Sequence, residues 1–405
     1  MTLTGDQPSN QVNPYPSKAT VRTVQDRIAE HARQSPDSIA VTDGDKQLSY
    51  HQLNDLAEKL AVRLKQRGVD VNTVAAIQTA PSIEMVVCLL AILKAEGCYL
   101  PIDPSTPAQR AQFVINDSEP VVLITDDPNR AIEHRNILSV YKEIDEATRP
   151  CTISSGKEVA TPPETVSADG KQQNRRKGLE GQIDSSDRPA YIIYTSGTTG
   201  EPKGCIATQA NVMGLLASAQ EYFGFNRSDI WTLFHSFAFD FSVWEIWGAL
   251  SFGGRLVIVP EITRRDPQAM VALLEREQVT VLNQTPTAFS QLLQVKRLYE
   301  NNKLSLRYVI FGGEGLNIQT LKPWLNHHGD DSPQLINMYG ITETTVHVTL
   351  RRIHRSDLAN KKDDREGNTS ISSNQADSGS IIGKPLAGAE IYLLDDNLQL
   401  VDDGE

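Results

Sequence analysis

No apolar run in this 405-residue chain is long enough to span a bilayer: the longest, residues 85–93, falls well short of the ~20 residues such a helix needs. The N-terminus, Met-Thr-Leu-Thr-Gly-Asp-Gln-Pro-Ser-Asn, lacks the basic block and the apolar block of a secretory signal. Cysteine is scarce. Cys88, Cys98, Cys151 and Cys205 form no C-x-x-C pair and do not cluster with histidine, which argues against a disulfide framework or a Cys/His metal site and suits a reducing cytoplasm. Positive charge is also short, since 39 Lys and Arg against 51 Asp and Glu leave a net −12. That balance disfavours nonspecific nucleic-acid binding but leaves room for a nucleotide, which needs only local positive potential. What remains, at 39% hydrophobic, is an ordinary globular composition long enough for two or three packed units.

The first 20 residues are polar and proline-bearing and read as a disordered lead-in to a domain over 21–405. Helical spacing begins with Val21, Val24, Ile28 and Ala32 and returns with Leu53, Leu56, Leu60 and Leu64, after which Gly68 stands where a C-cap glycine would. Short β-branched runs at 74–77 and 121–125 alternate with helical patterns at 82–95 and 107–117, predicting a βαβ series over 21–150. Residues 151–187 have almost no large apolar side chain and read as a linker or surface insertion. A second βαβ series is expected over 188–350, starting at Tyr191, with buried strands at 255–259, 280–282 and 308–311 and helices at 267–277 and 287–293. Segment 355–378 reads as an exposed loop, and 381–382 and 390–394 as strands.

Residues 190–204 read Ala-Tyr-Ile-Ile-Tyr-Thr-Ser-Gly-Thr-Thr-Gly-Glu-Pro-Lys-Gly, an apolar strand running into a hydroxyl- and glycine-rich turn closed by a lysine. Gly197 and Gly200 let backbone N–H groups converge on an anion. Thr195, Ser196, Thr198 and Thr199 add hydroxyls, and Lys203 a mobile cation. The spacing differs from the G-x-x-x-x-G-K-[ST] loop. In Phe239-Asp240-Phe241-Ser242-Val243-Trp244-Glu245, Ser242 and Glu245 have the spacing of a helix capping box, which leaves Asp240 as a buried acid in need of a cationic partner. Gly312-Gly313-Glu314-Gly315 follows an expected strand, where nucleotides dock in open α/β sheets, or else makes a plain tight turn. Asn337-Met338-Tyr339-Gly340-Ile341-Thr342-Glu343-Thr344-Thr345 holds an amide able to read an adenine edge, a ring able to stack on it and a carboxylate able to hold Mg²⁺, or simply starts a helix.

These segments, in this order and at these separations, resemble the adenylation domains of nonribosomal peptide synthetases, within the adenylate-forming superfamily that also holds acyl-CoA ligases and luciferases. Leu48-Ser49-Tyr50-His51-Gln52-Leu53 and Leu93-Lys94-Ala95-Glu96-Gly97-Cys98-Tyr99-Leu100-Pro101-Ile102-Asp103 extend the resemblance over nearly the whole chain. Glu96 departs from a usual small residue and Ile341 from a usual proline. The resemblance implies an α/β fold of two stacked βαβ-type subdomains with mostly parallel sheets and a partial β-rich third subdomain over 379–405. The family's ribose-binding Thr-Gly-Asp, hinge and small C-terminal lid with its catalytic lysine have no counterpart here. The implied reaction joins an amino acid to Mg²⁺·ATP as aminoacyl-AMP, releasing pyrophosphate, and loads it onto the phosphopantetheine arm of a peptidyl carrier protein, with a condensation domain as a further partner in this or another chain. No nucleic acid or membrane takes part.

By the same resemblance Thr195, Ser196, Gly197, Thr198, Thr199, Gly200 and Lys203 hold phosphates. Gly313, Glu314, Gly315, Tyr339 and Gly340 surround adenine, Asn337 reads its amino group and Thr342 touches the nucleotide, while Glu343 binds Mg²⁺. Lys203, Thr342 and Glu343 form the implied catalytic set. The amino-acid pocket falls on Asp240, Phe241, Trp244, Asn283, Ile310, Gly312, Met338, Val346 and His347, a set similar to the one associated with L-threonine, with serine as the leading competitor. Asp240 pairs the substrate ammonium in that reading; Asn283 and His347 either meet a substrate hydroxyl or pair with each other or with backbone. An acyl-CoA ligase-like enzyme and a catalytically incomplete, nucleotide-binding fragment are the alternatives.

Overall fold

The computed structural model describes residues 23–127, 132–148, 185–196, 201–300, 303–358 and 381–401. The expected lead-in 1–20, most of the segments 151–187 and 355–378, and the turn residues Gly197, Thr198, Thr199 and Gly200 lie outside the described residues. The chain divides into two compact units, one of 28–210 with 236–238 and the other chiefly of 211–235 and 239–405.

In the first unit the sheet runs Ile137–Ser139, Val122–Thr125, Val74–Gln78, Cys98–Pro101, Pro189–Ser196, Pro202–Thr208. All neighbours are parallel except the last pair, an antiparallel hairpin. The longest apolar run of the sequence lies in helix Ile83–Lys94, where residues 85–93 are all buried; Ser82 caps it by accepting from the Met85 N–H. A helix apolar on every side needs cover on every side. Helix Tyr50–Gln66 starts with a true capping box, Ser49 accepting from Gln52 N–H while the Gln52 side chain accepts from Ser49 N–H, and ends before Gly68 at φ +92°. Glu96, the departure from a small residue, sits in the left-handed region at φ +70° and reaches Arg188 at 3.1 Å.

A second series beginning at Tyr191 is not what forms. Strand Pro189–Ser196 instead lies parallel to Cys98–Pro101 in the first sheet, with the Tyr191 and Tyr99 rings 5.8 Å apart. A fully buried strand reads as an apolar run whichever sheet it joins, so only its partner settles the matter.

The second unit's sheet runs Arg255–Ile258, Ile230–Leu233, Val281–Gln284, Tyr308–Phe311, Gln334–Tyr339, all parallel, then Thr349–Ile353 and Lys384–Pro385 antiparallel. One face packs Leu282, Val309 and Phe311 against Leu274, Phe289 and Trp324. Helix Pro267–Glu277 belongs to that layer, with Asp266 accepting from the Gln268 and Ala269 N–H groups and proline at its start. Helix Phe241–Ser251 is buried along its whole length. The expected strands at 381–382 and 390–394 do not form. Lys384 and Pro385 pair with Leu350 and Thr349, and Leu394 makes an isolated bridge to Leu400. A short apolar run suggests a strand but does not supply its ladder, and Ile391, Tyr392, Leu393 and Leu394 remain exposed. No helix among the described residues is long and apolar enough to cross a membrane.

Candidate active site

Parallel strands bring their C-terminal ends to one edge of the sheet, where ligands of open α/β folds dock. In the second unit Asn283, Ile310 and Ile336 stand at one level on three adjacent strands, and Met338 continues their face two residues further on. Helix Phe241–Ser251 contributes to the same side, for the Trp244 indole Nε1–H donates to Asn283 Oδ1 at 2.9 Å.

The expected capping box of Ser242 and Glu245 is not built. The helix starts at Phe241 with Asp240 as its N-cap and no side-chain cap bond. Ser242 therefore lies inside the first turn, where its hydroxyl donates to Phe239 O at 2.8 Å. Glu245, with no exposed surface, turns to the end of strand Ile230–Leu233. Its carboxylate accepts the Phe234 N–H at 3.2 Å, the His235 N–H at 3.1 Å and the His235 Nδ1–H at 3.0 Å.

Asp240 is buried, and among the described residues no basic side chain forms an ion pair with it. Burial holds its carboxyl above the ordinary value; hydrogen bonding by Thr342 and by the Phe241 N–H opposes the rise, Glu343 adds to it and His235 opposes it. The same interactions bring Asp240, Thr342 and Glu343 together. Asn283 Nδ2 and both ring nitrogens of His347 are buried without a hydrogen-bond partner among the described residues. Asn283 and His347 thus do not pair with each other; Asn283 is tied to Trp244 instead. The His347 ring meets Phe241 edge-on at 5.1 Å and Trp244 at 5.4 Å. Three orphaned buried nitrogens in one apolar setting need a partner that the described residues do not supply. Gly312 makes room for that histidine, because a Cβ there would lie 2.9 Å from His347 Cε1.

His347 follows Thr345 and Val346, both left-handed at φ +63° and +67°, a strained conformation for a β-branched residue. Across this turn Val348 N–H donates to Tyr339 O at 2.7 Å. Nearby, Gly313, Glu314, Gly315, Asn337, Met338, Tyr339, Gly340, Ile341 and Ile382 line a cavity of about 370 Å³. Tyr339 exposes its ring. Asn337 Nδ2–H donates to Ile381 O at 3.0 Å, which leaves its Oδ1, the atom able to accept from an adenine amino group. Glu314 Oε2 accepts from Thr287 N–H at 3.1 Å and Thr287 Oγ1–H at 2.6 Å, so this carboxylate braces the loop. Ile381 and Ile382 carried no signal in the sequence as site residues, because they reach it only through a strand pairing.

In the first unit the arms of the turn expected to hold phosphates face each other as an antiparallel ladder, Thr195 opposite Lys203 and Ser196 opposite Pro202. Lys203 is exposed. The Tyr194 hydroxyl donates to Asp117 Oδ2 at 2.6 Å, and burial together with that bond pushes its pKa up. Gly204 packs against the Tyr194 ring, to which a Cβ would come within 3.1 Å.

Burial, with His235 adding to it, pushes the His347 pKa down to about 3. An unfolded histidine titrates near 6.5, so the stabilisation from burying the neutral ring is complete above that pH and is lost as pH falls toward 3, about 2 kcal/mol of it by pH 5. Urea titrations at pH 7 and pH 5 should show the wild type losing that much more stability than His347→Phe. Equal losses in the two proteins would place the acid sensitivity elsewhere.

The profile of the family described as "AMP-binding enzyme" matches residues 28–405. Over 382 residues the chain is 42% identical to a dimodular nonribosomal peptide synthase of Bacillus subtilis (strain 168), covering 94% of this chain and 15% of that protein. It is likewise 42% identical over 370 residues to syringomycin synthase SyrB1 of Pseudomonas syringae pv. syringae, covering 91% of this chain and 54% of the relative. The chain therefore spans only part of these relatives. Among solved structures, the AMPPNP-bound form of the nonribosomal peptide synthetase FmoA3 superposes with a TM-score of 0.73 at 22% identity, covering 93% of this chain and 36% of that one. The N-terminal subdomain of Klebsiella oxytoca NpsA, in complex with 3-hydroxyanthranilyl-AMSN, gives 0.71 at 21% identity over 95% of this chain and 85% of that one.

Proposed function

This chain belongs to the AMP-binding enzyme family, and on that premise we propose that it is an amino-acid-activating adenylation domain of a nonribosomal peptide synthetase, converting L-threonine and ATP to threonyl-AMP and pyrophosphate. The observation that carries this reading is the pocket's polar inventory. Among the described residues, a buried carboxylate without an ion pair, Asp240, accompanies three buried nitrogens without hydrogen-bond partners, at Asn283 and His347, among Phe241, Trp244, Ile310 and Met338. An α-ammonium answers the carboxylate, and a short hydroxylated side chain answers the nitrogens. In this reading Val346 and Gly312 complete the pocket's lining.

No nucleophile of the protein is required. The substrate carboxylate attacks the α-phosphorus, and the protein contributes position and charge neutralisation. Tyr339 with Gly313, Gly315 and Gly340 holds the adenine, Asn337 Oδ1 accepts from its amino group, and the turn from Thr195 to Lys203 takes the departing phosphates. Thr342 steadies Asp240. No cluster of three His, Cys, Asp or Glu able to cage a metal exists among the described residues. A single exposed carboxylate, Glu343, fits Mg²⁺ that arrives on the nucleotide, since that ion keeps phosphate and water ligands. Bound there, Mg²⁺ neutralises charge developing on the phosphates. The activated amino acid then passes to the phosphopantetheine thiol of a peptidyl carrier protein with release of AMP, and a condensation domain is a further partner in the same or another chain.

Amino-acid-dependent ATP–pyrophosphate exchange tests the reading. Threonine should be best and serine second, by the roughly 10–200-fold that one methyl is worth; valine should fall on the order of 10⁴ below threonine, because it leaves the polar groups unpaired. Preference for an aromatic or long aliphatic amino acid would overturn the pocket assignment. CoA-dependent AMP release with a carboxylic acid lacking the amine would mark an acyl-CoA ligase instead.

A further inference from the structure

His235 belongs to none of the motifs that point to the site, yet it is buried at the end of strand Ile230–Leu233 with a polar atom to spare. Glu245 accepts its Nδ1–H at 3.0 Å, which fixes the tautomer and the ring plane, while Nε2 is buried without a partner among the described residues. Phe241 precedes Glu245 by four residues and so shares its helix face. The held imidazole consequently lies flat on the Phe241 ring, centroids 4.3 Å apart and planes 19° apart. Phe241 in turn meets His347 edge-on, at 89°. The chain of contact runs Glu245, His235, Phe241, His347, and its last two members are walls of the amino-acid pocket.

We propose that His235 is a positioning residue for the amino-acid pocket, holding Phe241, and through it His347, in the orientation that meets the substrate side chain. The inference rests on the reading of that pocket given above. Fold maintenance and positioning are separable here. Glu245 keeps the two backbone N–H groups of Phe234 and His235 whatever side chain stands at 235, so the link from strand end to helix survives loss of the ring.

Calorimetric titration of the chain with AMP and with a nonhydrolysable threonyl-adenylate mimic, threonyl sulfamoyl adenosine, decides the matter. His235→Ala should weaken the mimic by about tenfold, the scale of one lost apolar group in a pocket, and leave AMP within about twofold. His235→Phe keeps a ring on Phe241 and should bind the mimic nearly as well as the wild type; its thermal midpoint guards against misreading a fold defect. His235→Gln keeps a donor for Glu245 without the stack and should resemble the alanine variant. Tight binding by the glutamine variant with loss in the phenylalanine variant would overturn the stacking role, as would equal weakening of AMP and mimic, or an unchanged mimic affinity in His235→Ala. If the wild type binds the mimic no more tightly than AMP, the amino-acid reading of the pocket fails, and this inference with it.

Discussion

Asp240→Ala is expected to reduce amino-acid-dependent ATP–pyrophosphate exchange by two to three orders of magnitude or more while AMP binding persists. An ammonium brought into this buried pocket without its counter-charge carries a penalty of about 3–5 kcal/mol, and the other buried carboxylate of this helix, Glu245, is already committed to the Phe234 and His235 N–H groups and the His235 ring. Stability should move the other way. Burial raises the Asp240 carboxyl, so at neutral pH the unpaired charge costs the folded state, and Asp240→Asn should melt higher than the wild type. That advantage should shrink as pH falls into the carboxylate range, where the wild-type acid also becomes neutral. Near-normal exchange in Asp240→Asn, or a lower melting temperature, would show instead that the acid is an internal structural partner.

Gly340→Ala is the second large effect. A Cβ at 340 would fall on the Val346 carbonyl oxygen and 2.7 Å from His347 Cα, both backbone atoms that cannot swing aside. The turn they belong to is already strained through the left-handed Thr345 and Val346 and is pinned by Val348 N–H on Tyr339 O. A loss of about 3 kcal/mol is expected in urea titration, the upper end of what overpacking usually costs, because the atoms in the way are backbone. AMP binding should weaken in the same variant, since Gly340 also lines the 370 Å³ cavity. A stability change under about 1 kcal/mol would mean the turn relaxes freely and stores no strain.

Helix Pro267–Glu277 and strand Tyr308–Phe311 were legible to the residue, because caps, proline placement and apolar runs act over a few neighbours. Ser242 and Glu245 misled for the same reason. Their spacing satisfies a local rule, but three donors at the end of a strand claimed Glu245. His235 carried no pattern at all, being defined by a ring stacked on it and a carboxylate ten residues away.

The chemical inventory of this protein is local and was written in the chain: a hydroxyl- and glycine-rich turn with one lysine, an acid between two phenylalanines, an amide–tyrosine–glycine run, and the alternation that makes an α/β fold. Which groups remain unpaired was decided only by tertiary structure. Trp244 took one end of Asn283 and left the other without a partner among the described residues, Gly312 admitted the His347 ring, and Pro189–Ser196 found its neighbour in the first sheet. Pairing and burial depend on residues far apart in sequence, and a buried group's chemistry is set by the partner it lacks as much as by the partner it has.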